Sequence, residues 1–330
     1  MHTYTPHGVC SRAIHVELDG DTVSHVDFVG GCDGNLKAVS KLVEGMTVDE
    51  VIDFAAAHGC EHIEFVPFHL EFVRPDLSLN EELCDHVREK CASAGIEIST
   101  YSVNGNLLME DEAEQAREIE RIKRHIDAAE RMGLKRMRFD VASFRRPFST
   151  NTIYNFRKEF PQMVKNGGLL CDYAAGKGIN IVMENHGFFI NGSDRVLSLI
   201  QSINRPNLKM TVDVGNFLCV DEDPVAAVKK CLPMAEMIHL KDFYIRKKEQ
   251  LPDQTEMFNC DNGSWFETMG GKMLRGSILG QGDMDVWEIL RLIKHSGFDG
   301  YISLEFEGME PCERATAIGL SMAKAILERV

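Results

Sequence analysis

From about residue 50 onward, short apolar runs recur along the chain, each followed by a longer stretch whose apolar positions return every three or four residues. The runs fall at 62–68, 96–103, 135–141, 179–184, 208–214, 237–241 and 301–306. Their brevity and their Val, Ile and Phe content predict strands of a parallel sheet. The intervening stretches predict helices. In 114–131, for example, Ile119, Ile122 and Ile126 share one face, and Gly133 follows as a stop. The first 48 residues differ: 9–18 and 22–30 read as two strands joined by Asp19-Gly20-Asp21, a hairpin signal, with a glycine-rich turn at 30–35 before a helix.

Seven strand–helix repeats over about 280 residues approach the roughly 250 residues of an eightfold barrel. The predicted class is α/β, a (β/α)8 TIM-type barrel over 49–330, with a small N-terminal β-hairpin/helix segment at 1–48. A doubly wound sheet is the alternative, but no Gly-x-Gly-x-x-Gly opens a helix after an early strand. Seven runs leave one strand to find. Either 24–30 supplies strand one, or the barrel is open at that seam. The long stretch 246–276, with Trp265 and Phe266 inside it, reads as a lid, a subunit contact or a plain loop.

Charge narrows the function. A net charge of −15 and a pI near 5.3 repel nucleic acid and anionic membrane, so neither is expected as a partner. No run reaches the length of a membrane span, and the polar start carries no apolar signal segment; a cytoplasmic protein is expected. The ten cysteines are scattered without a Cys-x-x-Cys pair, the pattern of reduced thiols rather than of a disulfide framework or a zinc ribbon.

The chemistry lies at the ends of four consecutive runs. Glu184, Asp213, His239 and Glu305 each follow an apolar residue, namely Met183, Val212, Ile238 and Leu304. With a strand period of two, the apolar neighbour faces the outer helices and the polar residue faces the barrel interior. At strand C-termini the four converge where barrels of this type carry their active sites. Three carboxylates so gathered repel one another unless a cation compensates them. Three carboxylates and an imidazole suit a divalent metal: Mn²⁺ is favoured, with Mg²⁺, Co²⁺ and Zn²⁺ as alternatives.

These residues also carry a resemblance. Glu184-Asn185-His186-Gly187, Asp213-Val214-Gly215-Asn216, His239-Leu240-Lys241-Asp242, Gly280-Gln281-Gly282-Asp283 and Glu305-Phe306-Glu307-Gly308 resemble the sugar phosphate isomerase/epimerase superfamily, the xylose-isomerase-like barrels. The resemblance implies that Glu184, Asp213, His239 and Glu305 bind the metal and that Glu184 and Glu305 are catalytic, moving protons on a small sugar substrate; copies of such barrels often pair. The reaction it implies is isomerisation or epimerisation of a sugar, keto-sugar or sugar phosphate. The same motifs, with 275–280, also resemble C-glycoside-cleaving enzymes and inosose dehydratases, which makes a lyase the alternative. A non-catalytic sugar-binding protein is the third reading. The apurinic-endonuclease branch is disfavoured, since Asn216 stands three residues after Asp213 and the surface is acidic.

Candidate substrate contacts are His186, Lys241, Arg145, Arg146 and Asn216, with Glu307, Glu64 and His69 as further pocket residues. The turn 280–283 reads either as a phosphate cradle or as a close-approach turn with Asp283 or Asp285 capping the next helix. Separately, 8–14, 30–35 and 42–46 resemble the start of the TSCPD domain, without the Thr-Ser-Cys-Pro-Asp motif that names it.

Overall fold

The computed structural model describes residues 2–4, 13–19, 22–29, 47–67, 70–143, 146–251 and 265–330. Three N-terminal strands, β1 (His2–Tyr4), β2 (Ala13–Asp19) and β3 (Thr22–Val29), form an antiparallel sheet in that order. The Asp19↔Thr22 pairing fits the expected hairpin. β3 pairs with β2 within this separate sheet. The turn and helix expected beyond residue 29 lie outside the described residues.

The chain divides into two compact units, one of 47–190 with 194–211 and one that contains 191–193 and 212–330. In the first, helices and strands alternate: α1 (Val48–Ala57), β4 (His62–Phe65), α2 (Glu81–Ala94), β5 (Glu97–Val103), α3 (Glu112–Arg131), β6 (Arg136–Phe139), α4 (Ile153–Ala175) and β7 (Asn180–Glu184). Local chemistry sets the helix ends. Thr47 and Glu50 form a reciprocal capping box on α1, and Asp111 accepts the amides of Ala113 and Glu114 at the start of α3. The face of α3 that carries Ile119, Ile122 and Ile126 is buried, as its periodicity predicts. Helix α5 (Ser193–Ile203) leads into β8 (Leu208–Asp213), whose first four residues pair with β7.

The second unit continues with α6 (Pro224–Cys231), β9 (Ala235–Leu240), β10 (Asp242–Lys247), β11 (Phe266–Glu267), β12 (Lys272–Ser277), α7 (Val286–His295), β13 (Tyr301–Leu304) and α8 (Cys312–Arg329). Strands β4 to β9 and β13 make one seven-stranded parallel sheet in chain order, with β4 and β13 at its ends. The stretch expected as an insertion begins earlier than its composition indicates. β10 leaves β9 directly, and β10, β12 and β11 form their own antiparallel sheet. Residues 252–264 lie outside the described ones. No helix among the described residues is long and apolar enough to cross a membrane, and Cys84, Cys91, Cys171, Cys219 and Cys312 are free thiols.

One buried pair in the first unit makes stability depend on pH. Tyr101 Oη lies 2.7 Å from His125 Nδ1, where β5 meets α3. Burial, with Arg121 nearby, pushes the His125 imidazole down to about 3. Below the ordinary histidine value of about 6.5 the unfolded chain takes up a proton that the folded chain refuses, so stability falls as pH drops from there toward 3. The loss amounts to about 1.4 kcal/mol per pH unit from this group. Urea melts between pH 7 and 5 should show a pH slope shallower by about 0.7 proton on average in His125→Asn; an unchanged slope would refute this origin.

Candidate metal-binding active site

Each predicted ligand stands at the C-terminal end of its strand: Glu184 closes β7, Asp213 closes β8, His239 is the penultimate residue of β9, and Glu305 follows β13. Register aligns them. Glu184 pairs with Thr211, two residues before Asp213 on the same strand, and His239 pairs with Ser303, two before Glu305. Since side chains alternate along a strand, residues two apart share a face. Ligand atoms of Glu184, Asp213 and His239 all lie within 4.8 Å of one another, and all three residues are buried. Two carboxylates and an imidazole are a donor set that a divalent ion accepts.

Asp213 is held for this position by its own backbone. Its Oδ1 accepts the amides of Gly215 and Asn216, each at 2.9 Å. Its Oδ2 lies 2.8 Å from Lys241 Nζ and 4.0 Å from His239 Nδ1. Glu305 is not part of the three-residue group but lies against it: Oε1 is 3.0 Å from His239 Nδ1 and Oε2 is 2.7 Å from Lys241 Nζ. Burial opposes its charge, yet Lys241 and His239 outweigh that and hold its carboxyl well below the ordinary range. With its side chain 33% exposed, Glu305 is the accessible member of the four; Glu184, Asp213 and His239 have at most 3%.

Around Glu184 the first unit builds a chain of charged groups. Arg138 Nε lies 2.5 Å from Glu184 Oε2, Arg138 Nη2 donates to Asp140 Oδ1 at 2.6 Å, and His186 Nδ1 lies 2.8 Å from the same oxygen. Burial disfavours the charge on His186, but Asp140 more than offsets it and raises the imidazole. Burial likewise disfavours the charge on Asp140, and its partners His186 and Arg138 pull that carboxyl down. Sequence reasoning missed Arg138 and Asp140. Their signal was present, since Arg136-Met137-Arg138-Phe139-Asp140 alternates charged with apolar residues on a strand whose inward positions are ordinarily aliphatic.

The other expected contacts divide. Lys241 joins the ligand cluster. Asn216 is buried beside it, with Oδ1 3.5 Å from Lys241 Nζ and its carbonyl accepting from Asn191. Glu307 Oε1 is 3.2 Å from Lys241 Nζ. Arg146 is engaged elsewhere: it makes a bidentate pair with Glu159 on α4 and lies over the Phe189 ring. Glu64 accepts a hydrogen bond from Ser102. Arg145 and His69 lie outside the described residues.

The turn 280–283 proves to be a close-approach turn rather than a phosphate cradle. Asp242 Oδ2 accepts the amides of Gly280 and Gly282 at 2.9 and 2.8 Å, while Oδ1 accepts those of Phe243 and Met284 at 2.8 and 3.3 Å. The amides a phosphate would use therefore already bind a carboxylate. Asp285 caps α7 through the Glu288 amide, and Asp283 accepts from Ile245 and Arg246 instead.

The xylose isomerase-like TIM barrel family model matches residues 52–326, so the chain belongs to that family and the parallel sheet is that of a TIM barrel. The TSCPD domain model matches residues 2–62. Among curated relatives, an inosose dehydratase of Clostridium perfringens is 25% identical over 151 residues, 46% of this chain and 48% of its own. The chain thus spans about half the length of the curated relatives it matches. Among solved structures, a xylose isomerase-like TIM barrel protein from Mycobacterium smegmatis in complex with magnesium is 17% identical, with a TM-score of 0.61 over 90% of this chain and 92% of its own. A D-psicose 3-epimerase solved in the presence of D-fructose is 14% identical, with a TM-score of 0.64 over 86% and 94%. At these identities the solved structures establish the fold.

Proposed function

We propose that the protein is a divalent-metal-dependent isomerase or epimerase of a sugar, keto-sugar or sugar phosphate, with Glu184, Asp213, His239 and Glu305 as metal ligands. The observation that carries this reading is the gathering of Glu184, Asp213 and His239 ligand atoms within 4.8 Å, with Glu305 hydrogen-bonded to the same histidine. Mn²⁺ is the ion we favour. When bound, such an ion supplies Lewis-acid polarisation of a carbonyl and so acidifies the neighbouring C–H. The remaining work falls to the chain's own groups. Arg138 fixes the orientation of Glu184, one of the two carboxylates assigned to proton transfer. Glu305, the second, has a side chain 33% exposed and so is the member of the four that solvent reaches. His186, whose Nδ1 lies 2.8 Å from Asp140 Oδ1, is our candidate for hydrogen-bonding a substrate hydroxyl, and Lys241 is a further candidate contact.

The likeness to inosose dehydratase favours a second reading, a lyase or dehydratase of a keto-sugar. Both reactions begin by taking a proton beside a carbonyl, and they part afterwards. An isomerase or epimerase returns the proton, whereas a lyase expels a leaving group from the adjacent carbon.

Metal analysis of the purified chain, followed by a solvent-deuterium exchange screen over free and phosphorylated ketoses and inososes, tests the proposal. A stoichiometric divalent metal and chelator-sensitive exchange without elimination are expected. Exchange accompanied by loss of water or an aglycone would select the lyase. A metal-free protein with no exchange on any of these compounds would refute both.

A further inference from the structure

Lys241 occupies an unusual place in the cluster. Its Nζ lies 2.8 Å from Asp213 Oδ2, 2.7 Å from Glu305 Oε2 and 3.2 Å from Glu307 Oε1, and its side chain is 4% exposed. Two of those three carboxylates belong to the proposed ligand set. The backbone is shaped to admit the lysine: a Cβ at Gly215 would press into Lys241 Cγ and come within 2.7 Å of Phe243 Cε2. The lysine stem therefore runs through space that only a glycine leaves open. A buried ammonium offsets the mutual repulsion of the carboxylates around it, as a metal ion would. The oxygens it engages, Asp213 Oδ2 and Glu305 Oε2, belong to two of the four carboxylate and imidazole residues proposed above as metal ligands.

We infer that Lys241 is a built-in counter-cation of the metal site: it holds Asp213 and Glu305 together in the metal-free protein and competes with the divalent ion for them. Metal entry then displaces the ammonium from these oxygens, so Lys241 sets the metal affinity at a weaker value than the ligands alone would give. An ordinary structural salt bridge makes the opposite prediction, because losing it would loosen Asp213 and Glu305 and weaken metal binding. The inference rests on the metal reading proposed above.

The test is calorimetric titration of the full chain, stripped with a chelator, with Mn²⁺, together with thermal unfolding with and without the ion. Lys241→Met is expected to bind Mn²⁺ at least roughly ten-fold more tightly than wild type, a change of about 1.4 kcal/mol or more. It should also melt at a lower temperature in chelator and gain more from added Mn²⁺. Equal or weaker binding in Lys241→Met overturns the inference. If that variant does not yield folded protein without metal, Lys241→Gln carries the same comparison. Asp213→Asn separates the two possible failures. Where wild type binds Mn²⁺ and Asp213→Asn does not, the metal reading stands and the lysine comparison alone decides the inference. Absence of Mn²⁺ binding in wild type and both lysine variants would bring down both, whereas binding gained only on removing the lysine supports the competition directly.

Discussion

Glu305→Gln is expected to slow substrate-dependent solvent-deuterium exchange by about 10² to 10⁴-fold, the usual contribution of a positioned acid–base group. The substitution keeps the shape of the side chain and removes its charge and basicity. Glu305 is the member of the four that solvent reaches, and Lys241 and His239 hold its carboxyl well below the ordinary range. A carboxylate is ionised near neutrality and can accept a proton, and the pairing with Lys241 and His239 makes this one a weaker base than a free glutamate. Glu184→Gln should produce a loss of similar size, since Glu184 is the other carboxylate assigned to proton transfer and Arg138 fixes its direction. Metal content measured on the same samples separates lost chemistry from lost metal. Exchange unchanged in both variants would defeat the two-glutamate mechanism.

Asp242→Ala should destabilise the chain by about 4 kcal/mol. One carboxylate, 1% exposed, accepts four backbone amides. Removing it leaves four donors to find partners, and a buried donor without one costs roughly 1–3 kcal/mol. Four such costs are not fully additive, because the turn can relax and admit water. The neighbouring glycine reports the same contact, since a Cβ at Gly282 would press into the Asp242 carboxylate and lie 2.5 Å from Ser277 Oγ. Urea unfolding measures the effect. A loss below about 1 kcal/mol would show that the amides satisfy themselves without Asp242.

Much of the site is legible in the order of residues along the chain. The apolar run before each of Glu184, Asp213, His239 and Glu305 marks a strand end, and alternation fixes which way each side chain points. Those are local properties, and the register Glu184↔Thr211 and His239↔Ser303 agrees with them. Arg146 shows where such reasoning stops. Adjacent arginines after a strand look like an anion site, but the partner that claims Arg146 is Glu159, thirteen residues away and nearly two turns into α4. The turn 280–283 is a second case, because its amide partner, Asp242, lies some forty residues earlier.

The sequence by itself determined the strand–helix alternation, the parallel sheet and the position of Glu184, Asp213, His239 and Glu305 at strand ends, because hydrophobic periodicity and side-chain alternation act over a few residues. Tertiary structure alone decided how the charges are shared: that Arg138 directs Glu184, that Lys241 enters the carboxylate cluster through the gap at Gly215, and that Asp242 rather than a phosphate fills the glycine turn. Each of these depends on which groups meet across distant parts of the chain. Buried charge is stable only when its partners are in place, and that partnership is written in space rather than in spacing.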